Sequence, residues 1–177
     1  ILIPDKIKLN ENPLSENSEI INKEDKETSV GKPVMVWIHG GSNTTGSNKG
    51  EFVGYSNTAC NAYVKNDIIC VSLNYRVGLH GFLHLPGKNI TNLALRDLIC
   101  GLEWIQKEIS HFGGNPNNVT ISGESSGGIN VACLLGCPRA KGLFHNAIIE
   151  SGGPNMFLNE TFYNDYVYDD IIKIIQP

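Results

Sequence analysis

Three short stretches of this chain, 34–38, 68–73 and 147–149, are apolar almost without a break. A strand with one face in water alternates apolar and polar residues. Unbroken runs suit strands covered on both faces, as in a parallel sheet. Parallel neighbours cannot be joined by a tight turn, so each connection must travel back along the sheet, usually as a helix. The intervening sequence offers such helices. One is expected over 56–65. A second is expected over 92–110, where Leu95, Leu98, Ile99, Leu102 and Ile105 recur at helical spacing, with Asn92 as a cap and the His-Phe-Gly-Gly run at 111–114 as a stop. A third runs to about Leu135, ahead of Gly136 and Pro138, and a further strand is expected at 119–122. The pattern is α/β: a mostly parallel central sheet flanked by helices, without internal repeats.

The remaining stretches read as connections. Residues 1–4 resemble the tail of a strand, and residues 5–32 are polar and without periodicity, a flexible insertion at the surface. Long glycine- and asparagine-bearing loops are expected over 39–50 and around Gly78, Gly81 and Pro86. At 177 residues and 41% hydrophobic content, the chain has enough apolar material for one domain with a core. A net charge of −4 with no basic stripe argues against nucleic acid as a partner. No apolar run approaches the roughly 18 residues of a membrane span. Five cysteines cannot all pair with one another. Cys70 and Cys100 lie in apolar surroundings and read as buried free thiols. Cys133 and Cys137 lack the second pair that a zinc site needs, so no metal site is assigned. Sequons at Asn43, Asn89, Asn118 and Asn159 tilt the compartment slightly towards the secretory pathway.

The chemistry concentrates at Gly123-Glu124-Ser125-Ser126-Gly127, directly after the apolar run Val119-Thr120-Ile121 and before a helical stretch. G-x-S-x-G between a strand and a helix is the pattern of a nucleophile elbow, which pushes the central serine out at the top of a sheet. Ser126 cannot be that serine, because Glu124 stands where its leading glycine would be. A serine attacking a carbonyl generates an oxyanion, which needs preorganised donors. In enzymes built on this elbow, one donor is the N–H after the nucleophile, and others come from an HGGG-type loop after an earlier strand. This chain has His39-Gly40-Gly41-Ser42 directly after the run 34–38.

Six segments then carry a resemblance: ILIP, PVMVWIHGG, VSLNYRVGLHGFL, NLALRD, EWIQKEISHFGGNPNNVTISGESSGG and GLFHNAIIESGG. In order and spacing they resemble the type-B carboxylesterases, α/β-hydrolases that include the cholinesterases, over nearly all of residues 33–154. The resemblance implies a partial α/β-hydrolase fold over 1–177. It also implies hydrolysis of small-molecule carboxylic esters through an acyl-enzyme on Ser125, without a cofactor. Gly41, Ser42 and Ser126 would supply the oxyanion-hole N–H groups.

Two positions depart from the family pattern: Ser42 replaces a third glycine, and Ser126 replaces a frequent alanine. Both positions act through the backbone, so the donors survive. The hydroxymethyl group of Ser42 leaves substrate preference open. Glu124 has two readings, as a carboxylate near a catalytic imidazolium or as a structural partner. The acid and histidine that complete a serine triad follow the serine in chain order. The only later histidine, His145, sits at a variable surface position of the family. His39, His80, His84 and His111 fall in segments without a base role. The resemblance therefore places the acid and base beyond Pro177, and a segment that bears a choline-binding tryptophan in cholinesterase-type members before Ile1. The expectation is a piece of a longer enzyme, inactive and poorly soluble alone. A non-catalytic adhesion homologue, or a fragment with no function of its own, is the alternative. Oligomeric state and acyl and alcohol specificity stay open.

Overall fold

The computed structural model describes residues 31–49, 55–84 and 91–153. In chain order these form β1 (Lys32–Ile38), α1 (Tyr55–Lys65), β2 (Ile69–Leu73), α2 (Gly78–Phe82), α3 (Leu93–Glu108), β3 (Gly114–Glu124), α4 (Ser126–Leu135) and β4 (Asn146–Glu150). Short 3-10 turns at Ile109–Phe112 and Pro138–Ala140 follow α3 and α4. The segment 1–4 and nearly all of the polar insertion expected at 5–32 lie outside the described residues.

The four strands form one sheet in the order β2-β1-β3-β4, and every pair is parallel. The unbroken apolar runs are explained by burial on both faces. Val34, Val36 and Ile38 of β1 join Ile69, Val71, Val119 and Ile121 on one side, against α3 and the α4 residues Val131 and Leu134. Trp37 and Cys70 project to the other side, where Cys60, Tyr63 and Val64 of α1 cover them. Along α3 the residues Ala94, Leu98, Leu102 and Ile105 are fully buried, one face of a helix laid on the sheet. Each buried Leu or Ile contributes about 1.5–3 kcal/mol relative to an exposed one. The α/β-hydrolase-type sheet flanked by helices is thus present, though only in part.

Several expectations are corrected. Cys70 is not a free thiol: it is bonded to Cys60, with a Cα–Cα distance of 5.4 Å, because the return from α1 into β2 brings the two side chains together beneath Trp37. Cys100 is free but exposed, since helical phase turns it away from the Leu98–Leu102 stripe. Asn92 precedes α3 but makes no side-chain cap. It adopts a left-handed conformation, φ 51° and ψ 40°, not the extended one from which a cap side chain reaches back. The expected loop around Gly78 and Gly81 contains the short helix α2. The strand expected at 119–122 is longer, because Gly114 pairs with Lys32 of β1 across an irregularity in register. β4 forms, but it is not buried: Ile148 is 40% and Ile149 38% exposed. It pairs only with β3 among the described residues, so its outer flank has no neighbour there. No helix among the described residues is long and apolar enough to cross a membrane.

This strand order places the site. The chain leaves β1 towards β2 on one side, then returns to build β3 on the other. The carboxyl ends of β1 and β3 thus stand where the strand order reverses, the usual ligand position in open α/β sheets. Ile38 and Gly123 are register partners at that point, so the His39 loop and Ser125 emerge side by side.

Candidate active site

Ser125 connects β3 to α4 with φ 57° and ψ −124°, a conformation natural to glycine and strained for any other residue. The surrounding structure imposes it. Ser125 N–H donates to Glu150 O of β4 at 2.8 Å, while Ser125 O accepts the N–H of Ile129 at 3.0 Å, starting the helix. The flanking glycines are steric requirements. A Cβ on Gly123 would lie 2.5 Å from the carbonyl carbon of Gly127, and one on Gly127 would lie 2.2 Å from Ile38 O. Strand, serine and helix are too close there for any side chain. The serine is half-buried.

The loop after β1 passes directly over this turn: a Cβ on Gly40 would lie 3.3 Å from Ser125 Cβ. Two successive peptide planes in the loop are fixed by bonds to their carbonyls. His39 Nδ1 lies 2.8 Å from Gly40 O, and it must carry the proton, since a carbonyl only accepts. Gly41 O accepts N–H groups from Thr44 at 3.0 Å and Thr45 at 3.1 Å. Across a trans peptide the N–H points opposite to the C=O, and no peptide among the described residues is cis. The N–H groups of Gly41 and Ser42 are therefore turned away from these anchors. Neither makes a backbone hydrogen bond among the described residues, nor does the N–H of Ser126. Ser126 is the first residue of α4, where the N–H has no intrahelical acceptor and the helix dipole favours negative charge.

His39 is held as a neutral scaffold. Its ring stacks on Tyr75 with centroids 4.3 Å apart, and its buried Nε2 has no hydrogen-bond partner among the described residues. Burial pulls its pKa below 6.5, only partly opposed by the Gly40 bond. The unfolded chain binds this proton as pH falls through about 6.5, whereas the folded chain resists it. Stability linked to His39 is thus complete above that pH and declines as pH falls towards the depressed folded value. His39→Asn, which keeps a donor for Gly40 O, is expected to flatten the fall in melting temperature between pH 7.5 and 5.5. Parallel slopes for wild type and variant would remove His39 from the pH response.

Two of the other histidines, His145 and His111, stand apart from the serine. His145 Nδ1 accepts the N–H of Val119 at 3.2 Å. Val119 lies at the middle of β3, and the six residue steps from it to Ser125 span about 20 Å along the strand. His111 pairs with Glu108 at 3.2 Å beyond α3. Three residues the sequence did not single out for the site also belong here. Tyr75 O–H donates to His39 O at 2.6 Å, and Asn130 Nδ2 donates to Asn43 Oδ1 at 3.0 Å. Nothing in the sequence pairs positions so far apart, and Asn43 stood out only as part of a sequon. Among the described residues no group of three or more His, Cys, Asp or Glu could hold a metal ion.

Residues 11–162 match the profile of the Carboxylesterase family. The chain is 46% identical over 131 residues to para-nitrobenzyl esterase of Bacillus subtilis (strain 168), an alignment covering 72% of this chain and 26% of that protein. It is 44% identical over 131 residues to human (Homo sapiens) carboxylesterase 5A, covering 71% and 21%. Among solved structures it superposes on juvenile hormone esterase from Manduca sexta with a TM-score of 0.73 at 32% identity, over 84% of this chain and 28% of that one. A thermophilic PNB esterase gives 0.63 at 45% identity, over 71% and 26%. The chain thus spans about a quarter of the length of these relatives. The strained serine, the glycine contacts around it and the match across 11–162 place this chain in the carboxylesterase family.

Proposed function

We propose that this chain carries the nucleophile and oxyanion hole of a serine carboxylesterase acting on small-molecule carboxylic esters. The observation that carries this reading is the strained Ser125 at the carboxyl end of β3, with the Gly40 backbone beside it and the N–H groups of Gly41, Ser42 and Ser126 making no backbone hydrogen bond among the described residues. Ser125 Oγ forms a bond to the ester carbonyl carbon and gives up its proton to a histidine outside this chain. The carbonyl oxygen takes the negative charge and is held by the three N–H groups. As the C–O bond to the alcohol breaks, that histidine returns the proton to the leaving oxygen. Water then repeats the sequence on the acyl-enzyme and releases the acid. A single oxyanion donor is worth about 10²–10³ in kcat in a comparable hydrolase. No step needs a cofactor.

The test uses the complete protein that carries this chain. It should hydrolyse short p-nitrophenyl esters, and a fluorophosphonate should label it on the peptide containing Ser125. Absence of both turnover and labelling would sink the esterase reading and favour a binding-only homologue.

A further inference from the structure

Two side chains of α4, one turn apart, converge on one residue of the loop after β1. Ser126 Oγ accepts the N–H of Asn43 at 3.0 Å, and Asn130 Nδ2 donates to Asn43 Oδ1 at 3.0 Å. Ser126 is 4% exposed and Asn130 1%, so these polar groups are out of water and depend on each other for satisfaction. At the loop's other end Tyr75 O–H holds His39 O at 2.6 Å. Burial pushes the pKa of the Tyr75 phenol up to about 12, so it remains a donor. The loop is thereby pinned at residues 39 and 43, on either side of Gly41 and Ser42.

We propose that Ser126 and Asn130 act through Asn43 as a positioning clamp for the oxyanion hole. This rests on the reading of Ser125 as the nucleophile. The hole draws its donors from two separate segments, the loop and the start of α4, yet all must meet one oxygen. Ser126 offers its own N–H to that oxygen, and its hydroxyl grips the residue directly after the loop donors. The Asn43–Ser126 hydrogen bond therefore ties the two donor sets directly, and the Asn130 bond holds the same loop residue from one turn further along α4. The clamp also has strain to hold: Ser42 and Asn43 sit at φ 54° and 57°, left-handed positions without glycine. Such conformations persist only where neighbours over-determine them. Asn43 N–H, spent on Ser126, is not itself a donor to the substrate.

The test compares wild type, Ser126→Ala, Asn130→Ala and the double variant in the complete protein. It measures kcat and KM for p-nitrophenyl acetate, inhibition by a trifluoromethyl ketone, fluorophosphonate labelling and melting temperature. The ketone adds to the serine and places its oxyanion in the hole, so it reports donor geometry. Each single variant is expected to lower kcat about 10-fold, since a misplacement of 1 Å can cost about 10². KM should stay within about twofold, and ketone affinity should fall in step with kcat. The double variant should lose less than the product of the singles, because both act on Asn43. If Ser126→Ala fails to fold, Asn130→Ala carries the test, because it leaves the elbow intact. Wild type that is active and labelled, with variants unchanged in kcat and ketone affinity, overturns the clamp even if their melting temperatures fall. Wild type that neither turns over nor labels overturns the underlying nucleophile assignment instead.

Discussion

Replacing Ser125 with glycine in the complete protein is expected to abolish ester hydrolysis and to raise stability. Loss of the nucleophile should reduce kcat by about 10⁶, the scale seen when another serine hydrolase loses its nucleophile. The rise in stability follows from the backbone. At φ 57° and ψ −124° a Cβ is strained, and such strain amounts to about 1–3 kcal/mol. Glycine relieves it, although a more flexible unfolded chain offsets about 0.4–1 kcal/mol of the gain. Ser125→Ala supplies the control: it removes the hydroxyl and keeps the Cβ. Activity should vanish in both variants, whereas unfolding free energy should favour glycine over alanine by about 0.5–2 kcal/mol. Chemical denaturation and steady-state kinetics read the two effects separately. Equal stability of the two variants would mean that the elbow stores no strain. Retained turnover in either would remove Ser125 from the chemistry.

The same turn shows how much was legible in the sequence. β1 and β2 were readable because strands buried on both faces need no alternation, and α3 because Leu98, Leu102 and Ile105 keep one helical face. The elbow was readable because its glycines answer steric demands that any sequence must meet there. Glycine-poor chemistry hid more. The loop after β1 was recognisable from His39-Gly40-Gly41, but the roles of Gly41, Ser42 and Ser126 came from resemblance. What aims the loop N–H groups is carbonyl anchoring by His39, Thr44 and Thr45, a matter of peptide-plane direction that composition does not encode. The Cys60–Cys70 bond depended on how α1 returns to the sheet. The clamp joins residues 83 and 87 positions apart, and no local period relates them. β4 marks the opposite limit: Ile148 and Ile149 read as buried, yet an apolar run cannot say whether a neighbour covers it.

Gly127→Ala sets two local rules against each other and decides between them. Gly127 lies in α4, where alanine is favoured over glycine by about 1 kcal/mol on helix propensity. Propensity alone therefore forecasts a more stable protein. Sterics forecast the reverse: the new Cβ would lie 2.2 Å from Ile38 O, 2.7 Å from His39 O and 2.9 Å from His39 C. All three atoms are backbone at the end of β1, which is paired to β2 and β3 on either side, so no rotamer change can yield space. Overpacking of this kind costs about 1–3 kcal/mol and sometimes more. The sub-contact distance to a fixed carbonyl puts this site at or above the top of that range, so sterics should win by about 2 kcal/mol. The relief available is for α4 to lift from the sheet or for the end of β1 to be pushed aside. The first moves Ser125 and Ser126, and the second moves the His39 loop, so either separates nucleophile from oxyanion donors. A loss of at least about 10² in kcat/KM is expected. Gly136→Ala is the matched control, because among the described residues its Cβ would meet only Cys133 O, at 3.7 Å. It should leave melting temperature and kcat/KM near wild type. If Gly127→Ala behaves like Gly136→Ala in both measurements, the close approach of α4 to β1 is not what holds the elbow in place.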